Sequence, residues 1–359
     1  MKFKILLIII SVCYSVQAQT SYKEYFDDGT VKMEGAKKNG LLSGEIKYYY
    51  PSGELKYVDY CYQGEKTGVG KEYYKSGQLS ALVNYKNNKY HGLFRMYYED
   101  GKLKSKVNFI NGEKVGEYIS YHKNGNLGTK VNYNENGNAN GNYVSYYDNN
   151  QLYTKCTYID GNIEGELVSY FSDGKLASIV NYKAGKKNGV LKEYFSNGKL
   201  KIDSVYKNDN LEEDYLHYFQ NGELKVKAKM SYGFVVNRKS YYVNGALESE
   251  IIKNNESGNY DCKYYHLNGE ISKIGQGNKL SYYTKKGEWT YYHNNKKLYK
   301  TELYSTFGRL QEVINCFDGN GNPLNKGSFI NGNGALNEYD INGKLIKIDI
   351  YKDGLIVKD

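Results

Sequence analysis

One 24-residue pattern recurs along almost the whole chain, and it limits the fold to an array of similar units. In most copies a turn residue, usually glycine, follows an aromatic residue by four positions and precedes Leu, Ile or Val by two. A short unit of this kind stacks on its neighbours and needs no large shared interior. The turn residues are Gly29, Gly53, Gly77, Gly101, Gly125, Asn150, Gly174, Gly198, Gly222, Gly245, Gly269, Lys296, Gly321 and Gly343. The aromatic residues four positions earlier are Tyr25, Tyr49, Tyr73, Tyr97, Tyr121, Tyr146, Tyr170, Tyr194, Tyr218, Tyr241, Tyr265, Tyr292, Phe317 and Tyr339.

Each unit reads as a β-hairpin, because two runs of about six to eight residues flank turn residues such as Asn-Gly and Asp-Gly. If the turn is centred one residue before the glycine, the Tyr four residues before the glycine lies opposite the Leu two residues after the glycine. We therefore expect both side chains on one face. Alternation along the strand adds to that face the aromatic residue eight after the turn and the Val six after it. The opposite face is expected to carry a second aromatic column, three residues before the turn, together with Phe94, Tyr118, Tyr143, Leu167, Leu191 and Trp289.

The sequence therefore predicts an all-β protein, an elongated antiparallel meander of about fourteen stacked 24-residue β-hairpins without a central core. Composition agrees, because the chain has 43 Tyr and 39 Gly among 359 residues, and both are poor helix formers. A 15% aromatic content argues against disorder, and only 2 Pro argue against a collagen-like chain. Pairing is expected to be least regular near residues 230–260 and 300–335, where the glycines shift.

Residues 1–18 have the pattern of a secretory signal peptide. Lys2 and Lys4 precede a mostly apolar run at residues 5–12, and small residues at 16–18 resemble a cleavage site after Ala18. The apolar run is too short to anchor the chain across a bilayer. We therefore expect one repeat domain over residues 19–359 and an extracytoplasmic location: periplasm, cell surface or secreted. Two alternatives remain open, a buried N-terminal strand and a lipid attached to Cys13.

Charge alone points to no particular partner. Without Lys2 and Lys4 the chain has 47 basic and 40 acidic residues, a net charge of +7. The lysines recur singly, with no polybasic block, which is typical of solvated strand faces. We accordingly expect no nucleic-acid partner, and peripheral contact with an anionic membrane stays a minor alternative.

Four cysteines follow the signal peptide: Cys61, Cys156, Cys262 and Cys316. Their even number in an oxidising compartment would suggest disulfides. However, they lie two to four units apart in an extended array, whereas a disulfide needs Cα atoms within about 7 Å. We predict four free thiols, with Cys61 and Cys156 packed as small apolar side chains.

The candidate metal and acidic sites have structural explanations. His122, His266 and His293 each replace an aromatic residue of the second column, and two histidines without a third ligand make a poor metal site. The oxygen-bearing residues at 318, 320 and 322 resemble a calcium loop, but Phe329 stands where a bidentate Glu would complete it. Residues 212–214, an acidic cluster, are expected in a solvated loop. We therefore predict no metal and no cofactor.

The unit resembles the MORN repeat in its variant bacterial form. Residues 68–92 (GVGKEYYKSGQLSALVNYKNNKYHG) and 165–189 (GELVSYFSDGKLASIVNYKAGKKNG) carry the resemblance best, and it extends over about residues 22–357. The resemblance implies a non-catalytic module for binding, assembly or membrane association. Some bacterial proteins of this variant are named as YwqK-type antitoxin components, and this similarity implies a toxin-neutralising role as an alternative.

The sequence favours a non-enzymatic scaffold that binds a protein or a cell-envelope polymer through aromatic sheet faces. Nucleophile elbows, phosphate loops and metalloprotease helices have no match in it. Exposed Tyr offers a large contact area with a hydroxyl that orients the ligand. The second aromatic column varies between Tyr, Phe and His, as a partly exposed site does. Neutralisation of a toxin and attachment to the membrane or cell wall are the alternatives. The predicted binding residues are Tyr50, Tyr74, Tyr98, Tyr147 and Tyr242.

Overall fold

The computed structural model describes residues 19–278 and 281–357, and the side chains of 281–283 are left out of the description. The proposed signal peptide lies outside the described residues. Within them every regular element is a β-strand, and they include no helix long and apolar enough to cross a membrane. The prediction of an all-β fold of stacked antiparallel hairpins is confirmed. Contacts divide the chain into two compact units, which we call the N-terminal unit (residues 19–162) and the C-terminal unit (residues 163–357).

The N-terminal unit consists of antiparallel strands in which each long strand pairs with the next along the chain. Short two-residue strands follow β2, β5 and β8 and pair back onto them. The strands are β1 (Thr20–Tyr25), β2 (Val31–Lys38), β3 (Leu41–Leu42), β4 (Gly44–Tyr49), β5 (Leu55–Tyr62), β6 (Glu65–Lys66), β7 (Gly68–Tyr73), β8 (Leu79–Lys86), β9 (Lys89–Tyr90), β10 (Gly92–Tyr97), β11 (Leu103–Ile110), β12 (Glu113–Tyr121), β13 (Leu127–Tyr133), β14 (Gly141–Tyr146) and β15 (Leu152–Ile159).

The C-terminal unit begins with β16 and has the same antiparallel order, followed by a separate sheet of three strands, β29 to β31. Its strands are β16 (Asn162–Tyr170), β17 (Leu176–Lys183), β18 (Lys186–Tyr194), β19 (Leu200–Lys207), β20 (Asn210–Tyr218), β21 (Leu224–Ser231), β22 (Phe234–Tyr241), β23 (Leu247–Lys253), β24 (Tyr260–Tyr265), β25 (Ile271–Asn278), β26 (Ser281–Tyr292), β27 (Leu298–Tyr304), β28 (Leu310–Cys316), β29 (Gly334–Tyr339), β30 (Leu345–Lys352) and β31 (Leu355–Ile356).

The turns follow the predicted geometry. All fourteen turn residues have positive φ, including Asn150 at 66° and Lys296 at 70°. The predicted cross-strand pair is present as well: Tyr73 lies opposite Leu79, and the same pairing recurs in every hairpin except at Gly321. Left-handed backbone at the turn glycine therefore sets the register of each hairpin.

The assignment of residues to faces was partly wrong, because each hairpin has a β-bulge next to this pair. Tyr73 pairs with Leu79, but Glu72 pairs with Ala81, so one extra residue on the second strand reverses the alternation. Val107, predicted on the face opposite Phe94, instead lies directly across from it. The aromatic and Val residues eight and six after the turn thus share a face with Phe94, and the Tyr four before the turn lies on the other side.

We call the two sides the packed face and the open face. The packed face carries the residues four and six after each turn, such as Ala81 and Val83, which are only 2% and 1% exposed. The open face carries the residues five and seven after the turn, such as Leu82 and Asn84, which are half-buried. Buried side chains form small local clusters, for example Met33, Ile46 and Cys61 in the N-terminal unit. The C-terminal unit has two such clusters, a larger one around Trp289 and one around Leu310.

All four cysteines are buried and free, as predicted. Burial raises the pKa of each thiol, to about 11 for Cys262 and for Cys316. Thiols that are buried and protonated at neutral pH behave as apolar side chains.

The repeat breaks at residues 317–333, inside one of the two regions where irregular pairing was expected. The turn at Gly321 forms, but Phe317 makes only an isolated bridge to Pro323. A turn that the pattern did not predict, at Gly308, joins β27 to β28. By contrast, strands β21 to β24 stay regularly paired through the other region, residues 230–260.

Candidate binding faces

The five predicted binding residues lie along the turn edge of the sheet, directly after the first strand of their hairpins. We call this set, with its equivalents in other hairpins, the turn-edge column. All five are half-buried, and four donate a hydrogen bond from the hydroxyl to a backbone carbonyl in the next hairpin. These bonds join Tyr50 to Tyr73 (3.0 Å), Tyr74 to Tyr97 (2.7 Å), Tyr98 to Tyr121 (2.7 Å) and Tyr242 to Tyr265 (2.8 Å).

Histidines in the turn-edge column make the same connection. Nε2 of His122, His266 and His293 lies 2.8, 2.9 and 3.0 Å from the carbonyl oxygens of Tyr146, Tyr292 and Phe317. A carbonyl oxygen only accepts, so each of these rings carries its proton on Nε2. The prediction that these histidines replace an aromatic residue therefore gains a specific reason: Tyr and His both place a donor at that carbonyl.

Tyr147 packs differently, with its ring centroid 4.9 Å from that of Tyr153. Burial and the neighbouring Tyr153 raise the pKa of Tyr147. The hydroxyls of Tyr50, Tyr74, Tyr98 and Tyr242 are thus bonded within the chain, and their rings are what they present to a ligand.

A second set of tyrosines lies on the open face of the N-terminal unit. Tyr49, Tyr73, Tyr97, Tyr121 and Tyr146 end the first strands of successive hairpins and are half-exposed. The hydroxyl of Tyr49 donates to Glu34 at 2.6 Å, and Lys23 lies 3.1 Å from the same carboxylate. These two contacts lower the pKa of Glu34, the Tyr49 bond most. We name this set the open-face column. The pattern showed these tyrosines, but without the bulge they were placed on the same face as the packed residues.

The open-face column borders a groove of about 360 Å³ in the N-terminal unit. Tyr73 and Tyr60 line it together with Val58, and its charged side chains are two lysines, Lys47 and Lys71, and two carboxylates, Glu45 and Asp59. Aromatic and apolar walls with a few charged groups are the ordinary chemistry of a binding surface.

The C-terminal unit buries a cluster of charges on its packed face. Lys300 and Glu302 are 5% and 3% exposed and lie 2.7 Å apart. Lys300 also lies 2.5 Å from Glu338 on β29, whose other oxygen accepts from the Tyr299 hydroxyl at 2.9 Å. The cluster therefore fastens the three-stranded sheet to β27. It occupies the columns four and six after the turn, where most other hairpins have small or apolar residues. This substitution was the signal in the sequence that was missed.

The protonation states in this cluster follow from burial and mutual attraction. Burial alone would raise the pKa of Glu302, but the ammonium groups of Lys300 and Lys285 hold it below its usual value. Burial would lower the pKa of Lys300, but Glu302 and Glu338 raise it. Lys285 is different: burial lowers its pKa to about 8, against the attraction of Glu302. Its Nζ donates to the hydroxyls of Tyr291 (2.5 Å) and Tyr304 (2.7 Å).

The remaining acidic candidates are bonded within the chain. Asp318 accepts from the backbone of Asn320 and Asn322 and from the Asn322 side chain, each at 2.8 Å. Within the described residues no three His, Cys, Asp or Glu side chains come together as metal ligands. The expectation of a loop at 212–214 was wrong, because these residues lie in β20. Glu212 accepts from the Tyr232 backbone, and Glu213 has φ 55° at a bulge.

Comparison with solved structures gives only distant similarities. The chain aligns with a TcdB2-TccC3 crystal structure at 12% identity and a TM-score of 0.16, over 93% of this chain and 19% of that one. A Tc holotoxin pore structure from Photorhabdus luminescens gives 13% identity and a TM-score of 0.16, over 93% and 18%. A TcdB2-TccC3-Cdc42 structure gives 11% and 0.15, over 83% and 20%. The chain thus spans about a fifth of each of these chains, and scores this low support no argument.

Comparison with known sequences identifies the repeat. No curated protein sequence matches the chain. The family model described as MORN repeat variant, however, matches seven consecutive segments: residues 42–62, 66–87, 90–111, 114–135, 139–160, 163–184 and 187–208. Each match covers both long strands of one hairpin, with the turn residue of that hairpin between them. Over residues 42–208 the chain is therefore an array of MORN repeat variants.

Proposed function

We propose that this scaffold is a non-enzymatic binding protein that works outside the cytoplasm and holds a protein or a cell-envelope polymer against its sheet. The observation that carries the proposal is the open-face column of the N-terminal unit. It places five half-exposed Tyr rings side by side on one face, next to a groove with charged walls. Tyr is suited to such surfaces because a large, rigid ring provides contact area at little conformational cost.

The extracytoplasmic part of the proposal rests on residues 1–18, whose pattern is that of a signal peptide. Expression of the full chain in its native host, followed by fractionation and mass spectrometry of the N-terminus, tests it. A mature N-terminus at Gln19 in the periplasm or medium is the expected result. An intact Met1 in the cytoplasm would contradict export.

The turn-edge column remains part of the proposal through its rings. Tyr50, Tyr74 and Tyr98 leave part of each ring exposed while the hydroxyl is bonded within the chain. A ligand that crosses the end of the sheet would stack on these rings without competing for the hydroxyls. The open-face residues take part in these bonds only through their backbone carbonyls, so we expect their side chains to contribute more to binding.

Two triple variants separate the contributions of the columns. In the first, Tyr73, Tyr97 and Tyr121 of the open face are changed to Ser. In the matched control, Tyr74, Tyr98 and Tyr242 of the turn edge are changed to Phe, which keeps the rings. Each protein is incubated with the envelope fraction of the native host, and the retained amount is measured.

We expect the open-face variant to lose retention and the Phe control to keep it, with both folded by circular dichroism. Equal retention of wild type and open-face variant would overturn the proposal that this face binds. Capture of a single stoichiometric protein, in place of sedimentation with envelope polymer, would identify the occupant as a protein.

A further inference from the structure

A row of basic side chains crosses the open face of the N-terminal unit. Its members are consecutive cross-strand partners on neighbouring strands, so they form one line across the sheet. Seven of the twelve are Lys or Arg and one is acidic. In order they are Lys23, Glu34, Lys47, Val58, Lys71, Leu82, Arg95, Lys106, Ile119, Lys130, Val144 and Lys155.

Much of this charge is unpaired. Lys23 pairs with Glu34 at 3.1 Å, Lys47 with Glu45 at 3.4 Å, and Lys130 with Glu117. Lys71, Arg95, Lys106 and Lys155 are different: among the residues that the structure describes, none has a carboxylate oxygen within 4.0 Å. Lys71 and Lys155 are exposed, and Arg95 and Lys106 are half-exposed.

The equivalent row of the C-terminal unit has a smaller excess. There Lys192 lies opposite Asp203 at 3.5 Å, and Lys239 lies opposite Glu250 at 3.0 Å. With Lys227 and Lys263 that row has four basic and two acidic residues, a net charge of +2, whereas the seven basic residues and one acidic residue of the N-terminal row give +6. This contrast shows that the basic row is a property of the N-terminal sequence and not of the repeat itself.

The groups beside the row suit a sugar chain. On one side lies the open-face column, whose rings can stack on the apolar face of a pyranose. On the other side Asn108 and Asn132, seven residues after their turns, are exposed and carry amide donors and acceptors. The row thus has aromatic rings on one side, and on the other a line in which the two amides lie opposite Leu93 and Glu117.

The spacing of the charges favours a polymer with sparse acidic groups. From Lys71 to Lys155 a basic residue occurs on about every second strand, or about every 10 Å at the usual strand separation. A nucleic acid carries one phosphate about every 3.4 Å along each strand, which is much denser than this row. A polysaccharide with carboxylates separated by sugar rings has a lower charge density and offers ring faces to the tyrosines.

We propose that the open face of the N-terminal unit binds a linear acidic polysaccharide along this row. The inference rests on the proposed binding function and names the ligand class for the same face. Carboxylates of the polymer lie over Lys71, Arg95, Lys106, Lys130 and Lys155, and its rings lie against the open-face column.

The test uses hyaluronate, in which a carboxylate-bearing sugar alternates with an uncharged one, as the acidic probe and its fully methyl-esterified form as the uncharged match. Binding to the full chain is measured by titration calorimetry at about 0.15 M ionic strength, where surface charges are screened beyond about 8 Å. The variant combines K71Q, R95Q and K106Q. Its control combines K192Q, K227Q and K263Q in the equivalent row of the C-terminal unit, which removes the same net charge.

We expect the esterified polymer and the K71Q/R95Q/K106Q variant each to weaken binding by about tenfold, and the control by less than about twofold. Absence of binding to hyaluronate, or equal losses in both variants, would overturn the inference. Tighter binding to vesicles of anionic phospholipid or to a single-stranded oligonucleotide would overturn it in favour of those ligands.

Failure of this inference is distinguishable from failure of the binding function. If K71Q/R95Q/K106Q keeps full retention by the envelope fraction while the open-face Ser variant loses it, the face binds a ligand that is not recognised by charge. If both keep full retention, the binding function itself is wrong.

Discussion

The Tyr74 hydroxyl donates a 2.7 Å hydrogen bond to the carbonyl oxygen of Tyr97, the residue that ends the first strand of the next hairpin. Because the acceptor lies next to the bulge, where strand pairing is interrupted, this bond supplies a connection that the sheet itself lacks there. Tyr50, Tyr98 and Tyr242 repeat it, and three histidines reproduce it with a ring nitrogen. The side chain therefore couples one hairpin to the next.

Removing this hydroxyl should destabilise the protein without changing its fold. We expect Tyr74→Phe and Tyr98→Phe each to cost about 1 kcal/mol, the usual net value of one hydrogen bond. Conversely, Phe195→Tyr adds a donor in the same column and should raise stability by a similar or smaller amount. Urea denaturation followed by circular dichroism measures both. Equal midpoints for wild type and the two Phe variants would show that the bond contributes nothing.

The sequence was sufficient to predict the hairpins, because turn glycines and cross-strand pairs depend on local backbone rules. Gly77 and the Tyr73–Leu79 pair were both placed correctly. The faces were not placed correctly, because one extra residue per hairpin reverses the alternation of side chains, and the composition gives no sign of this extra residue. The break after Cys316 was predicted only as irregular spacing of the glycines. The turn at Gly308 lies outside the repeating turn positions, so the repeat does not predict it.

Glu213 stands at a bulge position where most other hairpins have glycine, and its φ is 55°. A non-glycine residue in this conformation costs about 1–2 kcal/mol, while glycine adds about 0.5–1 kcal/mol of unfolded-state entropy. Glu213→Gly should therefore raise stability by about 0.5–1 kcal/mol, measured by thermal denaturation.

The reciprocal change is the control. A Cβ on Gly165 would meet no atom within 4 Å, so Gly165→Glu tests backbone strain alone, at φ 78°. We expect a loss of about 1 kcal/mol. A stabilising Gly165→Glu together with a destabilising Glu213→Gly would refute the strain argument.

Gly275 is required by the single Trp of the chain. A Cβ at this position would lie 2.4–2.6 Å from ring atoms of Trp289, which is 1% exposed and held by a 3.0 Å bond from Nε1 to the Gln276 carbonyl. Gly275→Ala should therefore cost about 3 kcal/mol through overpacking. Because Trp289 is the only Trp, its fluorescence reports unfolding around this cluster directly.

A double variant separates overpacking from an effect on backbone flexibility. Gly275→Ala combined with Trp289→Phe should cost less than the sum of the two single changes, since the smaller ring leaves room for the methyl group. Simple additivity of the two costs would contradict the clash.

Stability should depend on pH through Lys285. Burial lowers its pKa to about 8, from about 10.5 in an unfolded chain. Between these values the unfolded state holds a proton that the folded state has lost, so this group adds stability as pH rises from about 8 to 10.5. Raised thiol and tyrosine pKa values act in the opposite direction in the upper part of that range.

Comparing the pH-dependent stability of the wild type with that of Lys285→Met separates the contribution of this lysine from that of the opposing thiol and tyrosine groups. The stability difference, wild type minus variant, should increase from pH 8 to pH 10, measured by urea denaturation at each pH. Lys286→Met controls for loss of one positive charge on the same strand. A difference that stays constant with pH would contradict the lowered pKa.

The candidate binding surface was only partly predictable. Tyr-rich columns are evident in the sequence, but Lys71, Arg95 and Lys106 are 11 to 24 residues apart and show no polybasic pattern there. Their alignment depends on the bulged register, which brings the residues six before and five after successive turns into one line. The buried Lys300–Glu338 contact was also beyond the repeat, because it joins strands from different sheets.

The bond from Tyr74 to the following hairpin also bears on how such a chain changes over generations. Its donor and acceptor lie 23 residues apart, so insertion or loss of one whole 24-residue copy in this region rebuilds the same junction between the copies that remain. A gene encoding this unit can therefore lengthen or shorten by duplication and deletion, and the open face then grows or shrinks by one unit at a time.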